Sequence, residues 1–592
     1  MRALQPGDTT RDGDRKPYAV LDVETDGLRG GLVYWTAACE CHPERITDGR
    51  TADALWRHVL GHSGRDHANR DHVWWAHNGG EYDYVYLFGP ARADALSGRA
   101  VVVPVVRTDQ MIGFRVKASK MRTDLRDSYA LLPSSLASLA AQLAPELPKL
   151  DIGLSEGVTF DPERADHREY AARDTTATLA VLTRYRALLA DAFGGALPSW
   201  SAASTALRAW LATLPEGSRY ARPPEDAAGL ARLGYFGGMV HVGSVAWQRD
   251  VVTLDVNSMY PAVMREAGVP DGWAFPTSRY VPGRPGFYHV TAHVPEGMPF
   301  TFIPYRDPRG MLAWPTGRFR TVISSAELAA GLARGVRFDV HGGVTWSRMA
   351  YPFAGFVGSV ETMRAQGGAL AYVGKITANS LYGKFGAKPE RDEWMIAERQ
   401  PGPEWWPPAH DPDEAERYAG LWRRTGVPLR APYLMPHWAA WITAHARLRL
   451  LGLVEAVGEA ATIYTDTDSV TADGAAVRAA IAAGRVDVDP RRFGACKIEH
   501  EYARYRALAP KVTQGVHTDG EAVYRAKGIP RRQVAAAFAG EQVAWDSPNG
   551  AVQVLQGAPM LTRRTRVLSS IDGSVAWRAD GSGRVRPVHL GD

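Results

Sequence analysis

Two carboxylates one residue apart, Asp466 and Asp468, lie among small hydroxyl residues in the segment 464–469, which reads YTDTDS. The segment follows an apolar stretch, and this pattern predicts a strand that turns tightly and returns. Residues i and i+2 of a strand face the same side, so we expect both carboxylates to project together. Neither has a Lys or Arg beside it in the sequence, and a divalent cation would relieve their repulsion. Taken alone, the segment could equally be an Asp-rich surface turn.

Two further segments upstream carry polar residues in a regular pattern. Residues 253–261 begin as a short apolar strand that ends at Asp255. Further along, the spacing of Lys375, Asn379 and Tyr382 would place them on one face of a helix. A cation, an amide and an aromatic ring form a poor core face, but they suit a triphosphate and a base. A solvated helix face is the alternative for each residue taken singly.

In this order, the three segments resemble the motifs of the family B DNA polymerases. The sequence DVNSMYP is similar to motif A of that family, KITANSLYG to motif B and YTDTDS to motif C. The resemblance implies a right-hand polymerase with palm, fingers and thumb, which transfers nucleotides under the direction of a template. It also implies that Asp255, the carbonyl of Val256 and Asp468 hold two Mg²⁺ ions, or Mn²⁺ in their place, with Asp466 supporting them from the side.

The same resemblance implies how the incoming deoxynucleoside triphosphate is bound. Lys375 and Arg364 would clamp its phosphates by placing fixed positive charge where negative charge develops. Tyr260 would pack under the sugar and exclude a 2′-hydroxyl, and Asn379 and Tyr382 would flank the nascent base pair. Because phosphate contacts position the DNA and the template supplies the information, no sequence preference is expected.

A second group of acids lies near the N-terminus. Asp22 and Glu24 fall on one face of an apolar strand, and Asp83 comes after a second apolar strand. Tyr170 and Asp174 open a predicted helix and lie one turn apart. Four acids and a tyrosine from two strands and a helix suit hydrolysis of a phosphodiester by two metal ions about 3.5–4 Å apart. A short acidic strand alone is common and would carry little weight.

This set resembles the DEDDy 3′–5′ exonuclease, of RNase H-like fold, that precedes the polymerase in family B enzymes. The resemblance makes the four acids ligands of two Mg²⁺ ions, and Tyr170 the residue that orients the attacking water. Lys149 would contact the scissile phosphate. Ser128 could equally cap the helix that follows it. The predicted contacts to the single-stranded end are Thr25, Asn78, Ser128 and Tyr129.

The segment 235–238, which reads YFGG, lies between the two centres. Paired glycines let a backbone approach another chain closely, although an ordinary turn is the alternative. By the resemblance, this segment contacts template DNA through Tyr235, Gly237 and Gly238 and coordinates the two activities. A second glycine pair, at 367–368, predicts the turn between the two helices of the fingers.

The charge of the chain permits binding to nucleic acid but does not by itself indicate it. The net charge is +5 and the pI near 8.9, and most local arginine clusters lie in the last third of the chain. There the family has a Lys-x-Tyr element that binds the primer end. Lys511 matches this element, whereas Thr513 replaces the tyrosine and removes its aromatic ring from the predicted contact.

The composition is ordinary for a soluble globular protein, with 45% hydrophobic and 22% charged residues. No apolar run reaches the length of a membrane span, and the polar N-terminus lacks the apolar core of a signal peptide. We therefore expect a cytoplasmic protein, in the bacterial host if it is phage-encoded. Cys39, Cys41 and Cys496 form no CxxC pair and have no flanking histidine spacing, which argues against disulfides and against a structural zinc site.

With 592 residues the chain is long enough for several domains, and the expected fold class is mixed α/β and multidomain. The resemblance assigns the exonuclease domain first, followed by the polymerase with two insertions. The expected boundaries are 1–17 for a polar tail, 18–195 for the exonuclease domain, 196–273 for the first part of the palm, 274–346 for a first insertion, 347–388 for the fingers, 389–427 for a second insertion, 428–508 for the second part of the palm and 509–592 for the thumb.

The long intervals between the motifs indicate a subgroup, since long loops usually carry function. They resemble those of the protein-primed family B polymerases of phages and linear plasmids. There, one insertion contacts the priming protein and the other closes a ring that forces the template to unwind. The resemblance implies a monomer that replicates a phage or linear mobile-element genome with strand displacement. Its partners would be template and primer DNA, deoxynucleoside triphosphates and a terminal priming protein.

Other functions stay open on the sequence alone. The chain could be a polymerase that extends a nucleic-acid primer or starts without any primer. It could be a nuclease whose polymerase half is inactive, although the intact acids and the intact Lys375, Asn379 and Tyr382 argue against this. It could also be a non-catalytic DNA-binding or terminal-protein-like scaffold, which would have no reason to keep two sets of carboxylates.

Overall fold

The computed structural model describes residues 15–27, 30–62, 71–107, 110–119, 121–153, 158–399, 401–402, 416–418, 420–549, 553–554, 558–559, 561–568, 577–579 and 582–591. Most of the expected polar tail, and the proline-rich middle of the second expected insertion, lie outside these ranges. Within them the chain is mixed α/β and contains two seven-stranded sheets.

The first seven-stranded sheet and its helices occupy the N-terminal third of the chain. The strands are β1 (Tyr18–Thr25), β2 (Leu32–Cys39), β3 (His42–Gly49), β4 (Val73–Ala76), β5 (Val101–Arg107), β6 (Gln110–Ala118) and β7 (Met121–Asp127), and the helices are α1 (Ala52–Gly61), α2 (Asp83–Leu96), α3 (Leu136–Leu143) and α4 (Ala165–Ala192). The strand order is β3-β2-β1-β4-β7-β6-β5. Strand β4 is parallel to both of its neighbours, β1 and β7, and all other pairs are antiparallel.

Strand β1 is buried on both faces, which explains why it is apolar at most positions. Ala19, Leu21 and Val23 pack into one core, whereas Tyr18 and Val20 pack into a second core that includes residues of α4. Burial on both faces is typical of a strand inside a sheet covered by helices. Acidic side chains on this strand are therefore held on a well-packed support.

The next part of the chain contributes strands to three sheets. Its helices are α5 (Ala202–Ala212), α6 (Glu225–Leu233), α7 (Met259–Glu266) and α8 (Ser325–Ala333), and its strands are β8 (Val240–Val242), β9 (Gln248–Val256), β10 (Val269–Thr277), β11 (Gly286–Val294), β12 (Tyr305–Arg306), β13 (Leu312–Ala313), β14 (Thr316–Ser324) and β15 (Arg337–Ala350). Strands β10, β15, β11 and β14 lie side by side in a separate sheet, which runs past both ends of the expected first insertion.

A helical region and a small sheet follow. The helices are α9 (Ala354–Gln366), α10 (Gly368–Ser380), α11 (Tyr382–Phe385) and α12 (Pro436–Val457), and the strands are β16 (Glu390–Ile396), β17 (Glu416–Tyr418) and β18 (Leu421–Pro428), in the order β16-β18-β17. Helices α9 and α10 join at Gly367 and Gly368, whose φ angles of 75° and 51° favour glycine. The turn predicted from this glycine pair is confirmed.

The last part of the chain completes the second seven-stranded sheet and then forms two sheets of two strands each. Its strands are β19 (Thr462–Asp466), β20 (Ser469–Asp473), β21 (Cys496–Ala509), β22 (Val512–His517), β23 (Ala522–Ala526), β24 (Val543–Pro548), β25 (Leu561–Arg566), β26 (Trp577–Ala579), β27 (Val585–Pro587) and β28 (His589–Leu590), and its helices are α13 (Gly474–Ala482) and α14 (Val534–Phe538), with 3₁₀ turns at Glu459–Ala461 and Arg531–Gln533. Strand β28 adds to the edge of the separate sheet, beside β14.

The second seven-stranded sheet has the order β23-β22-β21-β9-β20-β19-β8, and every pair in it is antiparallel. Strand β9 lies in the middle, and its residues Val251, Val252 and Leu254 are buried. Helix α12 is largely buried and contacts β20 and β14, so it connects this sheet with the separate one. No helix in the described ranges combines the length and the apolar character needed to cross a membrane.

Candidate active sites

Asp255 and Asp468 come together at the centre of the second seven-stranded sheet. Asp255 is the penultimate residue of β9 and lies opposite Ser469, the first residue of β20. Asp468 precedes Ser469 in the tight turn after β19, and its carbonyl accepts a 2.8 Å hydrogen bond from the N–H of Val256. The pairing of strands far apart in sequence thus brings the two predicted acids to one place.

The electrostatics of this pair fit a divalent cation. Burial, and then the charge of Asp255, raise the pKa of Asp468 to about 6. Burial also raises the pKa of Asp255, although the ammonium of Lys497, 2.8 Å from its Oδ1 atom, acts in the opposite direction. Partly buried carboxylates that repel each other are suited to a cation such as Mg²⁺, since it supplies positive charge between them.

Asp466 is held to one side of this pair. Its carboxylate oxygens lie 2.6 and 2.9 Å from Nζ of Lys511, so the cation missing from the neighbouring sequence comes from a later part of the chain. Strand β19 ends at Asp466, and Thr467 has a left-handed φ of 64°. The expectation that Asp466 and Asp468 would project unpaired from one strand is therefore wrong, because Asp468 belongs to the turn.

The predicted helix face of motif B is divided by a helix boundary. Lys375 and Asn379 are exposed on α10, but this helix ends at Ser380 and Tyr382 begins α11. The hydroxyl of Ser380 donates to the carbonyl of Ile376 at 2.8 Å, and bonds of this kind bend or weaken helices. The interruption is confined to Leu381, whose φ of −76° and ψ of −55° remain right-handed helical, so Tyr382 follows α10 after a single irregular residue.

Tyr382 instead stacks on Tyr260. Their ring centroids are 4.1 Å apart and their planes are 17° from parallel. Burial raises the pKa of both hydroxyls, and the charge of Asp468 adds to this for each ring, so the stack lies beside the candidate metal ligands. Arg364 is exposed near the end of α9, across the glycine turn from α10 and Lys375.

The YFGG segment packs against the turn that carries Asp468. A Cβ atom on Gly238 would lie 2.6 Å from Cγ2 of Thr467, so only glycine allows this close approach. The ring of Tyr235 packs in the same way over Gly386, which follows α11. A Cβ atom on Gly237 would meet no atom within 4 Å, so packing does not require glycine there.

Arg447 of α12 holds this segment from inside the protein. Its Nη1 atom donates to the carbonyls of Phe236 and Gly237 at 2.8 and 2.9 Å. Its Nε and Nη2 atoms donate to Oε1 of Glu327 at 3.0 and 2.6 Å. Glu327 in turn completes a capping box with Ser324 at the start of α8.

The four acids near the N-terminus gather beside β1. Asp22 and Glu24 lie on this strand, Asp83 begins α2, and Asp174 lies within α4. Burial is the main cause that raises the pKa of all four carboxyl groups, to about 7 for Asp22 and about 10 for Glu24. For Asp22, Glu24 and Asp83, the charges of neighbouring acids raise the pKa further. Within the described ranges, Oδ1 of Asp83 and Oδ1 of Asp174 are buried without a hydrogen-bond partner. Crowded acids with unbonded oxygens fit divalent cations.

Lys149 is a cation within this acidic cluster. Its Nζ atom donates to the hydroxyl of Tyr170 at 3.0 Å and also bonds Oδ2 of Asp174. Burial acts to lower the pKa of Lys149, but the charge of Asp174 and the contact with Tyr170 outweigh it and raise the pKa. Tyr170 and Asp174 lie one turn apart inside α4, which begins at Ala165 and not at Tyr170 as expected.

The predicted single-strand contacts differ in their exposure. Ser128 is buried with its hydroxyl 2.9 Å from Nδ1 of His77, whereas the side chain of Tyr129 is 39% exposed. The alternative role of Ser128 as a helix cap is wrong, because Ser135 caps α3. Thr25 is buried beside Tyr82, and Asn78, in a left-handed turn with φ 61°, is half-buried.

Sequence reasoning missed three charged residues around Asp255, Asp468 and the YFGG segment: Lys497, Arg447 and Glu327. Lys497 reaches Asp255 only because β21 pairs with β9, so its sequence neighbours give no signal. Arg447 does give one, since an arginine inside a largely apolar helix indicates a buried partner. That partner, Glu327, lies on α8, far away in the sequence, and could not be named from the pattern.

Comparison with known proteins gives a family and several relatives. Residues 164–404 match the family described as DNA polymerase type B, organellar and viral. A probable DNA polymerase of Neurospora intermedia is 24% identical over 322 residues, which cover 49% of this chain and 31% of the relative. The DNA-directed DNA polymerase of Enterobacteria phage PRD1 is 27% identical over 342 residues, which cover 56% of this chain and 55% of the relative. The matched region thus spans about half of these relatives or less.

Solved structures agree with this chain in fold. Phi29 DNA polymerase complexed with primer-template DNA has a TM-score of 0.72 at 18% identity, and the match covers 94% of this chain and 100% of that one. The same polymerase complexed with single-stranded DNA has a TM-score of 0.71, with equal identity and coverage. The fold class expected from the sequence, mixed α/β and multidomain with the architecture of a right-hand polymerase, is confirmed.

The fold is similar to that of a solved DNA polymerase over 94% of the chain, and Asp255 and Asp468 meet within it. Over residues 164–404 the chain is similar to the family B DNA polymerases of the type described as organellar and viral. The two carboxylate clusters described above have the donors to hold divalent metal ions.

Proposed function

We propose that the chain is a template-directed DNA polymerase with a 3′–5′ proofreading exonuclease. The observation that carries the proposal is the meeting of Asp255 and Asp468, from distant strands, in one partly buried site. The four acids beside β1 support a separate hydrolytic centre. Template and primer DNA and deoxynucleoside triphosphates are the proposed substrates of a monomeric enzyme. Structures of the phi29 polymerase with primer-template DNA and incoming nucleotides support this choice.

In the polymerase centre, Asp255, Asp468 and the carbonyl of Val256 would hold two Mg²⁺ ions, or Mn²⁺. When bound, such ions lower the pKa of the primer 3′-hydroxyl and neutralise charge on the leaving pyrophosphate. Lys375 and Arg364 lie exposed on the paired helices α10 and α9, where they are free to bind the triphosphate.

The stacked rings of Tyr260 and Tyr382 form a flat surface beside these acids, on which the sugar and base of the nucleotide would lie, with Asn379 next to the base pair. Tyr235 and the glycines at 237–238 would contact the template. Lys511 would contact the primer, and a primer phosphate would then have to compete with Asp466 for its ammonium group.

In the exonuclease centre, Asp22, Glu24, Asp83 and Asp174 would hold the two metal ions. The hydroxyl of Tyr170 would orient the attacking water, because Lys149 fixes its position. The ammonium group of Lys149 would also bind the scissile phosphate. The proposed contacts to the single-stranded end are Thr25, Asn78, Ser128 and Tyr129.

Crossed variants test both assignments on one preparation. Asp468→Ala should abolish incorporation of deoxynucleotides on a primed template while sparing degradation of a labelled single strand. The double variant Asp22→Ala/Glu24→Ala should do the reverse. Retained incorporation in the first variant would overturn the polymerase site, and undiminished degradation in the second would overturn the exonuclease site. Loss of both activities in both variants would identify a folding defect, which circular dichroism checks.

We further propose that synthesis starts on a protein primer and displaces the second strand, in the bacterial cytoplasm if the gene belongs to a phage. Two sheets support this: the five-stranded sheet of β10, β11, β14, β15 and β28, and the small sheet of β16–β18. Each interrupts the order of the polymerase motifs, as insertions do in the protein-primed subgroup. Incubation of the enzyme with template, labelled deoxynucleotides and candidate terminal proteins should transfer label to protein. Label that enters DNA only from an oligonucleotide primer would favour a conventional polymerase.

A further inference from the structure

A cluster of soft metal ligands lies in the first seven-stranded sheet, away from the four acids. The sulfur atoms of Cys39 and Cys41 and a ring nitrogen of His72 all lie within 4.8 Å of one another. The Sγ atom of Cys41 is 3.3 Å from Nε2 of His72. Cys39 and His72 are buried, and Cys41 is partly exposed, so the cluster is sheltered but can be reached from solvent.

The topology of the sheet explains why these residues meet. Cys39 ends β2 and pairs with Ala19 of β1, and Cys41 follows in the turn to β3. His72 directly precedes β4, whose first residue pairs with Tyr18 of β1. The cluster therefore joins the two strands that flank β1, near the beginning of β1, whereas Asp22 and Glu24 lie toward its end.

We propose that Cys39, Cys41 and His72 bind a structural zinc ion that is separate from both carboxylate centres. Zinc bonds to thiolate sulfur at about 2.3 Å and to imidazole nitrogen at about 2.0–2.1 Å, and tetrahedral donors then lie roughly 3.5–3.8 Å apart. The ligand atoms, which lie within 4.8 Å of one another, would have to close to this spacing around a bound ion. CxxC pairs and flanking histidines, which are absent from the sequence, would place all zinc ligands close together along the chain. Here His72 comes from a different part of the sheet than Cys39 and Cys41.

The charge and chemistry of the donors favour zinc over the ions of the carboxylate centres. Two thiolates balance the charge of Zn²⁺, and a neutral complex is much less costly to bury than an isolated ion. Thiolate and imidazole are ligands that zinc prefers, whereas Mg²⁺ prefers oxygen. The fourth position would fall to water on the exposed side of Cys41 or to His62, whose ring centroid lies 4.7 Å from that of His72.

The simplest alternative is a thiol–imidazole hydrogen bond without metal, and cobalt substitution separates the two. The full-length protein, stripped with chelator, is titrated with Co²⁺ and then with Zn²⁺. We expect about one ion per chain with thiolate-to-cobalt charge-transfer absorption, displaced by Zn²⁺. Cys41→Ser and His72→Ala should lose most of this absorption. Cys496→Ser removes a buried cysteine of the other seven-stranded sheet and should keep it.

An absence of charge-transfer absorption in the folded wild type, or its full retention in Cys41→Ser, would overturn the proposal. If the variants fail to fold, zinc-edge X-ray absorption of the wild type decides, since two sulfur donors support the site and only nitrogen and oxygen donors refute it. These readouts do not depend on nucleotide incorporation. The zinc site and the proposed polymerase function can therefore fail independently.

Discussion

Arg447 and Glu327 form an ion pair in which neither side chain is exposed to solvent. Through the same guanidinium, α12 is bonded to the carbonyls of Phe236 and Gly237 in the YFGG segment. The pair therefore connects the five-stranded sheet, by way of α8, to the segment proposed to contact the template. A buried charge is tolerated only when its partners remain in place, so this connection should be rigid.

Glu327→Gln should lower the free energy of unfolding by about 3–5 kcal/mol, because it leaves the charge of Arg447 buried without its partner. A matched control is Glu266→Gln, whose partner Arg449 lies on the same helix but is partly exposed. There the loss should be below about 1 kcal/mol. Denaturant titrations followed by tryptophan fluorescence measure both, and equal losses would contradict a special role for the buried pair.

The acids of both centres could be predicted from the sequence, whereas the cations that contact them at the polymerase centre could not. Asp255 and Asp468 stand in motifs whose spacing along the chain carries the information. Lys497 and Lys511 meet their acids only through strand pairing and turn geometry, which depend on the whole sheet.

Lys497→Ala should lower the Mg²⁺ concentration that gives half-maximal incorporation several-fold. The ammonium of Lys497 lies 2.8 Å from Oδ1 of Asp255, so it competes with a metal ion for the same carboxylate. Lys497→Arg keeps the positive charge and should behave like the wild type. Primer-extension rates measured over a Mg²⁺ titration provide the check, and an unchanged Mg²⁺ dependence in the alanine variant would show that the ion pair does not oppose metal binding.

Tyr260→Val should allow ribonucleotides to be incorporated. The valine removes the ring that stacks on Tyr382 and that would exclude a 2′-hydroxyl from the nucleotide site. Discrimination against ribonucleotides should fall by at least about tenfold, as expected when one steric contact is lost. Tyr260→Phe retains the ring and should retain the discrimination. Competing single-nucleotide incorporation assays measure the ratio, and equal sugar selectivity in the valine variant would exclude the role of Tyr260 as a gate.

Asp83→Asn should raise the stability of the metal-free protein while it abolishes exonuclease activity. The carboxyl group is buried, burial and the charge of Asp22 raise its pKa, and one of its oxygens has no hydrogen-bond partner within the described ranges. A neutral amide carries no charge for burial and Asp22 to oppose, so a gain of about 1–3 kcal/mol is expected, because each unit of pKa shift corresponds to about 1.4 kcal/mol. Thermal melts with and without Mg²⁺ provide the measurement. A variant that is less stable than the metal-free wild type would contradict the repulsion argument.

Lys384→Met should stabilise the protein at pH 7 more than at pH 10. Burial, and then the charge of Arg107, lower the pKa of Lys384 to about 8, and its Nζ donates to Ser204 at 3.0 Å. Between pH 8 and the ordinary lysine pKa near 10.5, the unfolded chain binds more protons than the native one, so the wild type gains stability as pH rises. Below pH 8 the native protein carries the full cost of the buried charge.

The methionine variant lacks this titration, so its advantage over the wild type should be about 1–3 kcal/mol at pH 7 and should shrink toward pH 10. Lys388→Met, at an exposed position four residues further on, serves as the control and should show no such pH dependence. Denaturant titrations of the three proteins at pH 7, 8.5 and 10 give the comparison. If the advantage of Lys384→Met stays constant over this range, Lys384 is charged to the same extent in the native and the unfolded protein.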